Sequence, residues 1–262
     1  MNLLKSEFLK LAYQRRTWGL LAAAIFLAVL ATAFSPYAID KLAKEMPMAL
    51  SSPDVIDGIY AKALGAYILT LILGVVIMSS EFHHHTAIAT FLVEPKRSRV
   101  LTAKLVTAAI WGAGFNLIAT LIGMGSGAFA LTLFKNVGSP HGYIFVNYPL
   151  AAALIGAVLA VVGVGIGTLI RNQNAAVAVG LVWFLIVDRI LAVIWTEAGK
   201  YLPTGLITSM MTLHLNVKDK TTGFGINTAD YLDPLPAAGL LLVYALVFAA
   251  ISIATTLRRD ID

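Results

Sequence analysis

Six long apolar segments decide what this chain can fold into. They cover residues 17–35, 61–80, 105–134, 150–170, 175–196 and 237–257. A helix needs about 20 mainly apolar residues to cross roughly 30 Å of hydrocarbon, where no water is present to satisfy its backbone polar groups. Each segment comes close to that length or exceeds it, and the third is long enough to tilt, bend or protrude. Short runs of alternating apolar residues, the mark of a membrane barrel, do not occur. The expected fold is an all-α polytopic membrane protein with six transmembrane helices. No repeat or linker divides it, so residues 1–262 read as one domain. Composition agrees: 59% of residues are apolar and only 13% charged, against about 25% charged in a soluble domain. Cysteine is absent, which excludes a disulfide-stapled domain and a cysteine-ligated metal.

The charged residues give the orientation. With the N-terminus inside, eleven of the 19 Lys and Arg residues face the cytoplasm, among them Arg15, Arg16, Arg97, Arg99 and Lys104. Seven lysines then lie outside, and Arg189 falls within a span. Every arginine between spans is on the inner side. The positive-inside bias therefore predicts cytoplasmic N- and C-termini in a plasma or inner membrane. The net charge of +5 reads as topology and gives no reason to expect nucleic acid as a partner.

Before the first span, Leu4, Phe8, Leu11 and Ala12 recur at helical spacing. This predicts an amphipathic interfacial helix over 3–16, with Arg15 and Arg16 at the lipid headgroups. The basic start, apolar run and Ala31-Thr32-Ala33 imitate a signal peptide, but the run is longer than a usual signal core and five spans follow. On the outer side, residues 36–60 and 197–236 are too long for structureless turns. Short helices are expected in both.

The stretch 79–104 carries the most information. It reads as a helix exit at Glu81, a short amphipathic helix, and a turn stopped by Pro95. The residue before a proline avoids the α region, so the helix ends near Glu94. Thr86 can cap its start. Ile88, Phe91 and Leu92 fall at i, i+3 and i+4 and form one apolar stripe. Held between two spans, such an element can present an apolar ridge to a cytoplasmic partner.

A Glu leaving the second span, then a Thr, an apolar pair, a Pro, a basic pair and a Lys entering the third span resembles the permease subunits of ABC-2 type transporters. The bacitracin- and lantibiotic-resistance type is the most similar sub-group. The matching residues are Glu81, Thr86, Thr90, Pro95, Arg97, Arg99 and Lys104. The resemblance implies an ABC-2 type transmembrane domain in which this segment is a coupling helix that docks into a groove on an ATPase subunit. It assigns coupling to Glu81, Thr86, Ile88, Phe91, Leu92, Glu94, Pro95 and Arg97, and headgroup anchoring to Arg15, Arg16 and Lys104. It implies cytoplasmic ABC ATPase subunits, a second copy of this chain or a homologous permease, and membrane lipids as partners. His83-His84-His85 depart from the family pattern.

The three histidines do not form a metal site on a helix, because adjacent side chains point about 100° apart and ligands need i, i+3 or i+4 spacing. No metal is therefore expected. G-x-x-x-x-G-K-[ST] is absent, so this chain has no phosphate cradle of that type. The chain is expected to bind no cofactor, with ATP and Mg held by the partner ATPase. The cluster Gly123-Met124-Gly125-Ser126-Gly127 lacks the glycine two before the serine and a later histidine base that proteolysis would need. Gly123 with Gly127, and Gly163 with Gly167, instead give the small-residue spacing that lets helices approach closely in lipid.

Asp188 and Arg189 lie about two-thirds of the way through the fifth segment. A charge at the centre of a bilayer costs on the order of 2.5–3.5 kcal/mol, so such residues face a protein interior or a wet cavity. A slight shift of the span would instead put both at the outer interface. Asp188, Arg189 and Asn116 are the candidates for lining a translocation path or pairing helices. The reading that follows is the membrane subunit of an ABC exporter for an amphipathic peptide, antibiotic or lipid-like compound. A self-sufficient secondary transporter needs ionisable residues in several spans, which this sequence lacks. A non-transporting scaffold or sensor for an ATPase is the third reading.

Overall fold

The computed structural model describes residues 3–42, 50–83, 97–170, 172–211 and 232–258. The amphipathic start forms α1, Leu3–Tyr13. One residue later the chain enters α2, Arg15–Leu42. This helix runs past Ser35, where the apolar count ends, and carries Pro36 inside it. A proline interrupts a membrane helix only mildly when neighbouring groups satisfy the backbone it frees. Here a partner reaches this turn, since the Lys62 ammonium donates to the Ser35 hydroxyl.

The second span also begins earlier than its apolar core. Helix α3, Pro53–Ala61, has proline in its first turn and Asp54 near its positive end, both favourable at a helix start. A tight 3-10 turn, Lys62–Ala66, leads into α4, Tyr67–His83. Apolar counting starts this span at Ala61, but the Asp57 carboxylate before it is fully buried and partnered, and the helical structure extends back through it. Helix α5, Arg97–Leu131, has 35 residues and is about 52 Å long at 1.5 Å per residue. It starts eight residues before the expected position and ends at Leu131 rather than Phe134. Helix α6, Ile144–Leu169, contains Pro149 in its second turn and is the most buried of the six spans.

The fifth span is composite. Asn172 caps α7, Gln173–Val182, by accepting from the backbone N–H groups of Asn174 and Ala175 at 3.0 and 3.2 Å. A wide π turn, Trp183–Val187, joins it to α8, Asp188–Ile194. The chain then doubles back. Gly199, at the end of the short α9 (Thr196–Gly199), packs on Ala192. Thr204, in α10 (Pro203–Met211), lies beside Asp188. The sixth span is α11, Pro234–Arg258. Helices therefore occupy parts of both long connecting segments.

Six helices are long and apolar enough to cross a membrane, and no strand occurs among the described residues. Helix α6 is the hub, packed between α4 and α5 with α11 against it; α2 adds to the outside of α5, and α7 to α4. Small residues set the spacing. A Cβ at Gly156 would overlap the Gly112 carbonyl, and one at Gly163 would overlap that of Leu71. Gly123 and Gly127 face Ala28, Ala63 and Thr32 on neighbouring elements. Both glycine pairs thus serve packing within the chain.

Candidate functional site

Three polar clusters interrupt this apolar bundle. The first joins α1 to the start of α5. On α1, Glu7 lies four residues before Leu11, and these two are the residues the helix buries against the protein. Its carboxylate accepts from Lys104 Nζ at 2.7 Å and Lys10 Nζ at 2.6 Å. The Glu7 and Lys104 side chains are only 5% and 2% exposed. Burial pushes the Glu7 carboxyl up, but the two ammonium groups outweigh it and hold it below the ordinary carboxylate value. Glu7 is therefore an anion at neutral pH. An aromatic cluster joins α1 and α2 to the same α5: Phe8 and Trp18 both pack on Trp111, with ring centroids 5.1 and 6.3 Å away, and Trp111 packs on Phe115. The Trp18 indole donates to the Ala12 carbonyl at 2.7 Å, tying the turn between α1 and α2.

This corrects one expectation. Lys104 does not reach the headgroups, because its ammonium is buried against Glu7. Arg15 and Arg16, in the first turn of α2, are exposed. Glu7 went unassigned at the sequence level, although an acid on an otherwise apolar helical stripe signals a buried partner. Of the expected coupling residues, Thr86, Ile88, Phe91, Leu92, Glu94 and Pro95 lie outside the described residues, as do His84 and His85. Glu81 closes the second span on α4 and Arg97 opens α5; their side chains are not described. The segment between them therefore leaves from and returns to the end of the bundle where Glu7 meets Lys104.

The second cluster is in the fifth span. Asp188 is fully buried, and its Oδ2 accepts from the Thr204 backbone N–H at 3.0 Å. The carboxylate thus caps the N-terminus of α10, where the helix dipole favours a negative charge. Its Oδ1 has no hydrogen-bond partner among the described residues. Arg189 points elsewhere, exposed and beside the Tyr67 hydroxyl of α4. The two neighbours have separate partners, as helical spacing requires. Asn116, also fully buried, donates from Nδ2 to the Ala152 carbonyl at 3.0 Å, linking α5 to α6. In the same bundle Thr32 Oγ1 of α2 meets the Gly123 carbonyl and Ser126 Oγ of α5 at 2.8 and 2.7 Å. Ser126 is thus a link between helices, within the glycine cluster that had been weighed as a hydrolytic motif.

The third cluster closes the opposite end. Asp57 Oδ1 accepts from the His141 backbone N–H at 3.1 Å, and Oδ2 meets His141 Nδ1 at 2.8 Å and the Tyr143 hydroxyl at 3.3 Å. The Tyr148 hydroxyl donates to the Asp57 carbonyl at 3.3 Å. Burial and the nearby Asp57 carboxylate push the Tyr143 phenol up to about 12. The His141 ring is 44% exposed, so one edge of this cluster is open. Sequence reading missed it because Asp57 lies 84 or more residues from its partners.

All three clusters join elements to one another. No group of three or more potential metal ligands occurs among the described residues. No curated protein matches this chain. The family model described as ABC-2 family transporter protein matches residues 3–188, from α1 through the five spans to Asp188. That covers most of the chain, including all three clusters apart from the α10 side of the second. The chain belongs to the ABC-2 family of transporter proteins, as a multi-pass permease component.

Proposed function

We propose that this chain is the membrane half of an ABC exporter. Two copies, or one copy and a homologous permease, form the path, and two cytoplasmic ATPase subunits bind the end that carries α1. The termini are cytoplasmic, in line with the basic residues at that end. Residues Thr86–Glu94 dock on the ATPase through Ile88, Phe91 and Leu92. ATP and Mg bind in the ATPase, whose closure rocks the two membrane halves because ATP has a different affinity for the two arrangements. The substrate is an amphipathic peptide, antibiotic or lipid-like compound, as in the bacitracin- and lantibiotic-resistance type.

The Glu7–Lys104 pair carries this reading. Lys104 lies two turns into the helix that follows the docking segment, and Glu7 fixes α1 to it. A displacement of the docking segment therefore moves α5 and α1 as one body. Helix α6 passes the motion on, because α5 and α6 approach to glycine distance at Gly112 and Gly156. Asp188 is proposed to set the position of α10 during transport rather than to contact ATP.

Reconstitution with the partner ATPase tests the proposal. Vesicles should accumulate an amphipathic substrate only with ATP and Mg. Flux driven by an ion gradient with this chain alone would support a secondary transporter. A stable complex with the ATPase and no flux would leave a scaffold.

A further inference from the structure

A cleft of about 370 Å³ opens between α6, the fifth span, α10 and α11. Val162 lines it from α6, Pro203 from α10, and Tyr244 and Phe248 from α11. Across from them stand Trp183 and Phe184, consecutive residues that open the π turn. A π turn is a local widening often found where a helix meets a ligand. No charged side chain lines the cleft. Two of the lining residues on the fifth span, Val179 and Trp183, are 50% and 43% exposed. Both lie inside the apolar span, so the open side faces hydrocarbon rather than water.

We propose that this cleft binds one acyl chain of a membrane phospholipid. An apolar cavity of about 150 Å³ admits a benzene molecule, so this one holds roughly fifteen carbons in proportion. That is the size of a single hydrocarbon chain. A helix, about 10 Å across with its side chains, does not enter. The rim supplies a match for the head. The Tyr244 hydroxyl donates to the Tyr201 carbonyl at 3.2 Å. Beside Tyr201, Lys200 Nζ lies 5.5 Å above the ring centroid and 2.7 Å from Glu197. Paired opposite charges next to an apolar slot complement a zwitterionic head. The chain of the lipid fills space between helices that otherwise meet loosely, and it steadies α10, whose first residue walls the cleft. This inference does not depend on the exporter reading.

The test is photolabelling of the purified full chain in phosphatidylcholine vesicles doped with a phosphatidylcholine that carries a diazirine in one acyl chain. Peptides containing Val179–Phe184 and Leu241–Phe248 should be labelled at least fivefold above the lipid-facing Phe26–Leu30 stretch of α2. V162W, which fills the cleft, should bring its labelling down to the α2 level with an unchanged melting temperature. Equal labelling of cleft and α2 in the wild type, or undiminished cleft labelling in a folded V162W, would overturn the proposal. If V162W does not fold, V162F with the wild-type ratio gives the same decision.

Discussion

Glu7 and Lys104 stand 97 residues apart in the chain and 2.7 Å apart in the fold, both almost wholly removed from solvent. Breaking one half of a buried pair costs about 3–5 kcal/mol, because the other charge is left without compensation, whereas replacing both with apolar groups is often neutral. E7Q and K104M are therefore each expected to lower stability by about 3 kcal/mol, and the E7Q/K104M double variant to recover most of it. Lys10, which also bonds Glu7, softens the K104M effect relative to E7Q. Thermal unfolding of the four proteins in one detergent measures the cycle.

The same pair sets an acid limit. The Glu7 carboxyl is held below its ordinary value of 4.5. A group with a lowered folded value contributes stability that is full above the unfolded value and is lost as pH falls through the folded one. Wild-type stability should hold down to the ordinary carboxylate range and then fall more steeply than that of E7Q/K104M. Parallel melts from neutral pH to pH 3 give the difference.

At the other end of the bundle the sign reverses. The Tyr143 phenol is raised from 10.0 to about 12. The folded protein retains that proton when the unfolded chain has lost it, so the contribution is complete below the ordinary phenol value and fades as pH rises toward about 12. Y143F should remove this alkaline loss at a cost of about 1 kcal/mol, the net worth of one hydrogen bond. Ultraviolet titration of phenolate should show one fewer late-titrating tyrosine in the variant.

Asp188 separates structure from transport. D188N keeps an oxygen for the Thr204 N–H, so its stability should fall by no more than about 1 kcal/mol, the helix-dipole contribution of the charge. D188A leaves a buried donor unsatisfied and should cost about 1–3 kcal/mol. D188N is expected to lower substrate flux while ATPase binding is unchanged. Unaltered flux in a folded D188N would remove Asp188 from the transport cycle.

Glycine positions distinguish contact from open space. A Cβ at Gly156 or Gly163 would overlap a facing carbonyl, whereas nothing lies within 4 Å of one at Gly114. G156A and G163A should each cost about 1–3 kcal/mol through forced separation of helices. G114A should be neutral or add up to about 1 kcal/mol, since alanine favours a helix over glycine. Melting temperatures of the three variants give the order.

The six spans and the apolar stripe of α1 were legible in the sequence because bilayer thickness and helical period act locally. Their ends were less so. Apolar counting bounds the first three spans at Ser35, Ala61 and Leu105, but a polar residue at or just beyond each of these ends is held by a distant partner. Ser35 meets Lys62, Asp57 meets His141, and Lys104 meets Glu7. Such partners are 27 to 97 residues away, and no local pattern pairs them. The sequence marks Asp188 and Arg189 as charges within a span, but α10 folding back to supply Thr204 is not foreseeable from the spacing. The glycine pairs announce close helix approach without naming the facing helix, and the fold uses them within the chain.

The central claim is that residues Thr86–Glu94 dock on a separate ATPase. Affinity purification of the tagged chain from its own membrane, in mild detergent, tests it most directly when wild type and F91D are compared. The account predicts that a P-loop ATPase accompanies the wild type and is lost from a folded F91D, while E7Q/K104M retains it. A folded wild type that recovers no such ATPase, or an F91D that retains it undiminished, would contradict the account.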